Sequence, residues 1–233
     1  MKKLSHSIDR PFRRYTFPEL AQRESYPSVS EILNFGEGKP GLNAGAMPPA
    51  LAQSLARGSA VHQAVAEFLD NGWGSLLRDS PAYPWWVQAH KFLCEFLQQS
   101  NYPLLVEGAV LSEKCYAGTL DLLYRSETGE FRVADWKTAK SSKVTPAKLR
   151  RWKQQLAAYT GAVNTTYRDE GVEVQTGEIF LISPDEVLQL RFTPSEMRLA
   201  WEDWLENSLY PFQKFQAKIQ AKVKERGQTG ELI

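Results

Sequence analysis

The feature that most constrains this chain is a change of hydrophobic period near residue 104. Before it, apolar residues recur at helical spacing: Leu51, Leu55, Val61, Val65 and Leu69 fall on one side of a segment from Pro48 to Asp70. Gly58 interrupts that run and marks either a break or a close approach. A loop with Pro81 and Pro84 follows, and Trp85 to Gln99 reads as a second amphipathic helix. From residue 104 the pattern becomes β-favouring. Leu104–Leu111, Ala117–Tyr124 and Glu130–Trp136 read as strands, and the Ser126-Glu-Thr-Gly129 turn joins the last two, giving an antiparallel meander. Pro146–Thr166 returns to helix, with Pro146 suited to a first helical turn. Two further strands, 177–182 and 187–192, precede a long C-terminal helix from Pro194 to about Lys224.

This order predicts one mixed α/β domain over residues 46–233, preceded by a loop-rich arm over 1–45. The arm is punctuated by Pro11, Pro18, Pro27 and Pro40 and loosened by Gly36, Gly38, Gly41 and Gly45. Within it, Ser28-Val-Ser-Glu31 resembles a capping box and predicts a short helical turn. No GxGxxG or GxxxxGK[ST] loop is present, which argues against a nucleotide-binding fold.

Composition removes other classes. With 28 basic and 27 acidic residues the net charge is +1, so any polyanionic partner must be met by a local patch. Cys94 and Cys115 are the only cysteines; neither forms a CxxC pair, and two reduced thiols are expected. No apolar run is long enough to span a bilayer. No apolar h-region follows the initial Met-Lys-Lys, so a secretory signal is not expected. The expected compartment is the cytoplasm, although Arg10, Arg13 and Arg14 leave organellar targeting open.

The chemistry gathers on the strands. Asp135 and Lys137, two apart, project from one face of a strand that is otherwise apolar at Phe131 and Val133. Alone, the pair reads as a salt bridge at a strand end. The hairpin turn, however, places Asp121 of Gly118-Thr-Leu-Asp121 roughly opposite Asp135. Paired carboxylates repel unless a proton or cation lies between them. Mg²⁺ favours one or two carboxylates with waters and phosphate oxygens, and an adjacent lysine can steady a phosphate oxygen or the attacking water. On adjoining helices, His62 lies in Arg57-Gly-Ser-Ala-Val-His62, while Gln155 and Tyr159, four apart, share a helix face.

Taken in order, Gly58-x-x-x-His62, Glu107, Gly118-Thr-Leu-Asp121, Asp135-Trp-Lys137 and Gln155-x-x-x-Tyr159 resemble the PD-(D/E)XK nuclease superfamily, and most nearly its RecB-like exonuclease branch, which includes CRISPR-associated and mitochondrial genome-maintenance exonucleases. The resemblance implies a restriction-endonuclease-like core, a mixed central sheet flanked by helices, with the motifs spread over about residues 57–192. It implies that His62, Asp121, Asp135 and the carbonyl of Trp136 hold Mg²⁺ or Mn²⁺, and that Lys137 positions the water. It implies that Gln155 and Tyr159 contact substrate. Glu107 occupies a place where family members often carry a metal-side Glu; a solvent-facing strand residue is the competing reading. Many RecB-like members carry four cysteines that hold an iron–sulfur cluster, which two cysteines cannot supply. Motor motifs are absent, leaving a helicase or recombination protein as a candidate partner on another chain.

Charge supports a polyanion independently. From Trp136 to Arg168 no acidic residue occurs, while Lys140, Lys143, Lys148, Arg150, Arg151 and Lys153 do. Trp152, set among three of these cations, is the favoured aromatic for contact with DNA. The expected substrate is DNA, with single-stranded ends favoured, and the expected role is repair, recombination or replication. The alternatives are a nucleic-acid-binding module that keeps the fold without hydrolysis, or a subunit active only within a helicase–nuclease complex.

Overall fold

The computed structural model describes residues 1, 3–9, 14–18, 25–38, 48–99 and 101–229; for residues 9 and 226–229 it describes the backbone only. Arg10, Pro11, Arg13, Pro40, Gly41 and Gly45, on which parts of the reading above rest, lie outside the described residues.

A sheet in the order β3-β4-β5-β6-β7 forms the centre: β3 (Tyr102–Ser112), β4 (Tyr116–Arg125), β5 (Phe131–Thr138), β6 (Val174–Ile182) and β7 (Val187–Phe192). The first three strands form the expected antiparallel meander. β6 then runs parallel to β5, because the helix α4 (Pro146–Thr166) carries the chain back before β6 begins. β7 closes the edge antiparallel. Helix α4 starts as its sequence dictates: the Thr145 hydroxyl accepts from Lys148 N, and Pro146 occupies the first turn.

Each face of the sheet buries a core. On one lie α1 (Val29–Gly36), α4 and α5 (Pro194–Trp204), packed over Leu105, Leu120, Leu123, Val133 and Ile179. On the other lie α2 (Pro49–Asn71) and α3 (Tyr83–Gln98), packed over Val106, Leu122, Ala134, Trp136 and Phe180. Trp136 alone packs its ring against Phe180 and Phe92, at centroid distances of 4.6 and 6.2 Å. Burying one such aromatic side chain is worth ~3 kcal/mol.

The structure refines several readings. Helix α2 passes through Gly58 unbroken, with Thr138 of β5 opposite it at ordinary van der Waals distance from where a Cβ would lie, 3.4 Å. The arm holds a hairpin, β1 (Ser7–Asp9) with β2 (Arg14–Thr16), and the turn expected at Ser28 is an eight-residue helix whose cap hydroxyl accepts from Glu31 N at 3.0 Å. The long C-terminal helix is present as expected, with a π-helical turn over Leu205–Leu209 set between its two parts, α5 and α6 (Tyr210–Thr229). Pro211 explains it: proline has no N–H and crowds the carbonyl four residues back, and a wider turn relieves both.

Candidate active site

The site forms where β3 and β4 break the two-residue alternation together. On β4, Leu120 and Leu123 both face the α4 side, though they are three apart. On β3, Leu105 and Val110, five apart, do the same. An odd spacing cannot put two residues on one face of a regular strand, so each strand switches faces in between. Pairing runs on through the switch, with Val106 opposite Leu122 and Gly108 opposite Leu120. Glu107 and Asp121 lie at the switch and face each other by register. Glu107 carries it at φ 45°, a left-handed conformation that costs a non-glycine residue ~1–3 kcal/mol.

On the other side of β4 the ladder to β5 ends at Leu122–Ala134, which makes Asp121 and Asp135 the next opposed pair. Beyond that point the Trp136 amide donates to Asp121 Oδ2 at 2.7 Å, so a carboxylate takes a bond that a backbone carbonyl would otherwise accept. Three carboxylates, Glu107, Asp121 and Asp135, thus stand in a row across three adjacent strands.

Two helices complete the site. From α2, His62 Nδ1 approaches Asp121 Oδ2 at 3.4 Å. His62, Glu107 and Asp121 each offer an atom within 4.8 Å of the others, a separation one cation can bridge. From the α4 side, Lys137 Nζ lies 2.5 Å from Asp135 Oδ2 and donates to Gln155 Oε1 at 2.9 Å. Gln155 Nε2 donates in turn to the Tyr159 hydroxyl at 3.1 Å. Tyr159 packs against Gly118, where an added methyl would come within 2.5 Å of the ring.

Electrostatics follow from crowding. Burial works against a charged His62, but the charge and hydrogen bond of Asp121 outweigh it and lift the imidazole to about 9. Burial, then the charge of Asp121, pushes Glu107 up to about 7, although its side chain reaches solvent at the cleft mouth. Burial lifts Asp135 to about 6 against the opposing pull of Lys137. Asp121 is also desolvated, yet His62 and Lys137 hold it below the usual carboxylate range. Burial, then the charge of Asp135, pushes the Tyr159 hydroxyl well up, so it stays neutral. Excess negative charge beside a histidine is a composition that a divalent cation would satisfy.

The row lies in a cleft of about 940 Å³. Tyr15, Ser28 and Val29 line it on the N-terminal side, α2 lines it from Ser54 to Asn71, and Lys148, Trp152, Gln155 and Tyr159 line it from α4. Lys148 belongs to the basic stretch noted in the sequence, whereas Tyr15 and Thr119 were not selected; the Tyr15 hydroxyl and Thr119 Oγ1, 2.9 Å apart, tie the N-terminal hairpin to β4.

Of the other residues selected from sequence, Trp152 is half-buried and lines the cleft, and the Trp136 side chain lies in the core of the opposite face. Lys140 is exposed just beyond β5. Arg150 forms a two-pronged pair with Asp203, its Nε 2.8 Å from Oδ2. Arg151 is held by Asn34 and Glu37, at 2.8 and 2.7 Å.

A row of carboxylates ending at a lysine, in a cleft on a mixed sheet, is the layout of a metal-dependent phosphodiesterase. Residues 38–228 match the PD-(D/E)XK nuclease superfamily, and the chain belongs to it. The superfamily is one of nucleases. No curated protein matches the chain. Among solved structures, one described as "Crystal structure of SSO0001" is 16% identical over 51% of this chain, with a TM-score of 0.30. The match spans 56% of that protein's length. Among the described residues, no helix is long and apolar enough to cross a membrane.

Proposed function

We propose that this protein is an exonuclease of the RecB-like branch that hydrolyses single-stranded DNA from its ends, with Mg²⁺ or Mn²⁺ as cofactor. The observation that carries this reading is the alignment of Glu107, Asp121 and Asp135 across three strands, with Lys137 beside the last.

His62, Glu107 and Asp121 would hold the cation, joined by Asp135 and the Trp136 carbonyl. The donor set fits: it is hard oxygen with one imidazole, its carboxylates repel one another, and Asp135 Oδ2 is buried without a hydrogen bond of good geometry. When bound, the cation supplies offset for charge developing on the phosphoryl group and acidifies water. Asp121 is pinned for its role by the Trp136 amide. Lys137, fixed between Asp135 and Gln155, directs an ammonium toward the attacking water or a phosphate oxygen. Tyr159 anchors Gln155 from below, so the pair positions Lys137 as well as bordering the substrate. No covalent enzyme intermediate is needed.

Walls on both sides of the cleft favour one flexible strand over a duplex, and Trp152 offers an aromatic edge to a base. The test is cleavage of end-labelled single- and double-stranded DNA with Mg²⁺, Mn²⁺ or EDTA, with Lys137→Ala as control. A single-nucleotide ladder from linear single strands, absent with EDTA and in the variant, is the expected result. Cleavage of circular single strands would replace the exonuclease reading with an endonuclease one.

A further inference from the structure

Several cations of α4 are already neutralised, although Lys148, which lines the cleft, has no acidic partner among the described residues. Arg150 pairs with Asp203, Arg151 with Glu37 and Lys153 with Glu196. Arg57 differs. Among the described residues it has no acidic partner, yet it is half-buried and held in place. Its guanidinium lies 4.4 Å over the Trp85 ring, and its Nη2 donates to Ser54 Oγ at 3.0 Å. Its Nε is buried without a partner.

The platform beneath it is itself fixed to the active-site strand. Trp85 Nε1 donates to the Ala139 carbonyl at 2.6 Å, just past Lys137 and Thr138. One residue on, Gly58 packs against Thr138. Ser54, Gly58, Thr138 and Lys148 line the cleft; Arg57 does not line it, but lies on α2 between Ser54 and Gly58, beside its rim. The Arg57 Nε is enclosed and out of an anion's reach; Nη1, which is neither enclosed nor hydrogen-bonded, is the group an anion can meet. Stacking on Trp85 also removes most of the rotamer entropy that binding would otherwise consume.

Polarity along α2 indicates where the anion lies. Its first half presents Ser54, Gly58 and Ser59 to the cleft, whereas its second half presents Glu67, and Asp70 paired with Lys3 at 3.3 Å. A phosphate backbone is drawn to the first half and repelled from the second.

We propose that Arg57, clamped on Trp85, binds a backbone phosphate of the DNA strand beside Thr138, and so sets which side of the carboxylate row the strand occupies. The proposal rests on the DNA nuclease reading above and adds to it a positioning residue. The test is binding of a fluorescent single-stranded oligonucleotide in EDTA across a salt series, which requires no cleavage. Arg57→Gln should bind about tenfold more weakly, with the slope of log K against log[salt] shallower by roughly 0.7, one phosphate contact. Arg198→Gln, a change of the same charge on α5 outside the cleft, should bind as wild type. Should Arg57→Gln melt early, Arg57→Lys carries the test: it keeps the charge but loses the stacked plane, so the slope should match wild type while affinity falls severalfold. Wild-type affinity and slope in Arg57→Gln, or wild-type affinity in Arg57→Lys, overturns the assignment alone. Wild-type protein that neither binds nor cleaves DNA overturns the nuclease reading, and the assignment with it.

Discussion

Gly118→Ala tests whether the floor of the site positions its lysine. The new methyl would sit 2.5 Å from Tyr159 Cε1, 3.2 Å from Cδ1 and 3.3 Å from Val29 Cγ2. Carbon atoms in contact prefer ~3.5 Å or more, so the ring must retreat by about 1 Å. It is 5% exposed and has little room to do so. Overpacking of this kind costs ~1–3 kcal/mol, which in a chain of this length lowers the melting temperature by about 2–12 °C. The displacement also travels. Tyr159 anchors Gln155, and Gln155 holds Lys137 Nζ. A shift of ~1 Å in a catalytic group costs on the order of a hundredfold in rate. Differential scanning fluorimetry and single-turnover cleavage, both well below the variant's melting point, measure the two effects. Tyr159→Leu in the Gly118→Ala background should restore stability relative to Gly118→Ala, because the clash is removed. A variant that melts early yet cleaves at the wild-type rate would refute the link from Tyr159 to Lys137. One that melts as wild type would refute the packing argument itself.

Lys137→Met should reduce cleavage by at least about a hundredfold while DNA binding persists. It leaves Asp135, 2% exposed, beside Asp121 without its cation, so adding Asp135→Asn should raise the melting temperature of the metal-free variant; a further fall would contradict this. Glu107→Gln should alter stability in EDTA with a defined pH signature. The folded-state value of about 7 exceeds the ordinary 4.5, so the contribution of Glu107 is full below 4.5 and lost as pH rises through about 7. Wild type and variant should therefore diverge over that window, with the variant the more stable above it; parallel melting curves would sink the idea. His62, raised to about 9, must release a proton to bind Mn²⁺. Calorimetric affinity should rise about tenfold per pH unit from 7 toward 9, more steeply than in His62→Ala, and equal slopes would remove His62 from the ligand set.

Where local signals were sufficient, the sequence predicted elements to the residue. Helix α4 spans Pro146–Thr166 as expected, because a proline and a capping threonine fix its start. Strand β7 spans Val187–Phe192 as expected, between a turn and the Thr193 cap of α5. The N-terminal hairpin was not legible. Its Tyr15 and Phe17 are buried with Tyr26 against Ala109 and Ala117, near a hundred positions away, and that burial fixes β2, to which β1 is joined by backbone pairing. Pro211 was visible, but whether the chain answers it with a stop, a kink or a π turn depends on packing of α5 and α6 around Phe212 and Leu209.

The site divides along the same line. Asp135 and Lys137 share a face by strand periodicity, and hairpin register sets Asp121 opposite Asp135, so both relations follow from counting. The place of Glu107 does not. It depends on two strands switching faces in step, with one residue in a left-handed conformation that no residue pattern announces. The basic stretch after Trp136 is neutralised in part, with Lys140, Lys143 and Lys148 given no acidic partner among the described residues. It holds no acid of its own, yet the fold brings Glu37, Glu113, Glu196 and Asp203 to Arg151, Arg168, Lys153 and Arg150. A run of like charge in sequence therefore says little about the field it makes, because neutralisation is a tertiary property. Arg57 makes the point from the other side. It lies far outside that stretch, and what distinguishes it is the absence of a described acidic neighbour combined with a fixed aromatic platform. An unpaired charge already fixed over an aromatic ring meets a phosphate at a smaller entropic cost than one on a free side chain such as Lys148, and that is what sets Arg57 apart.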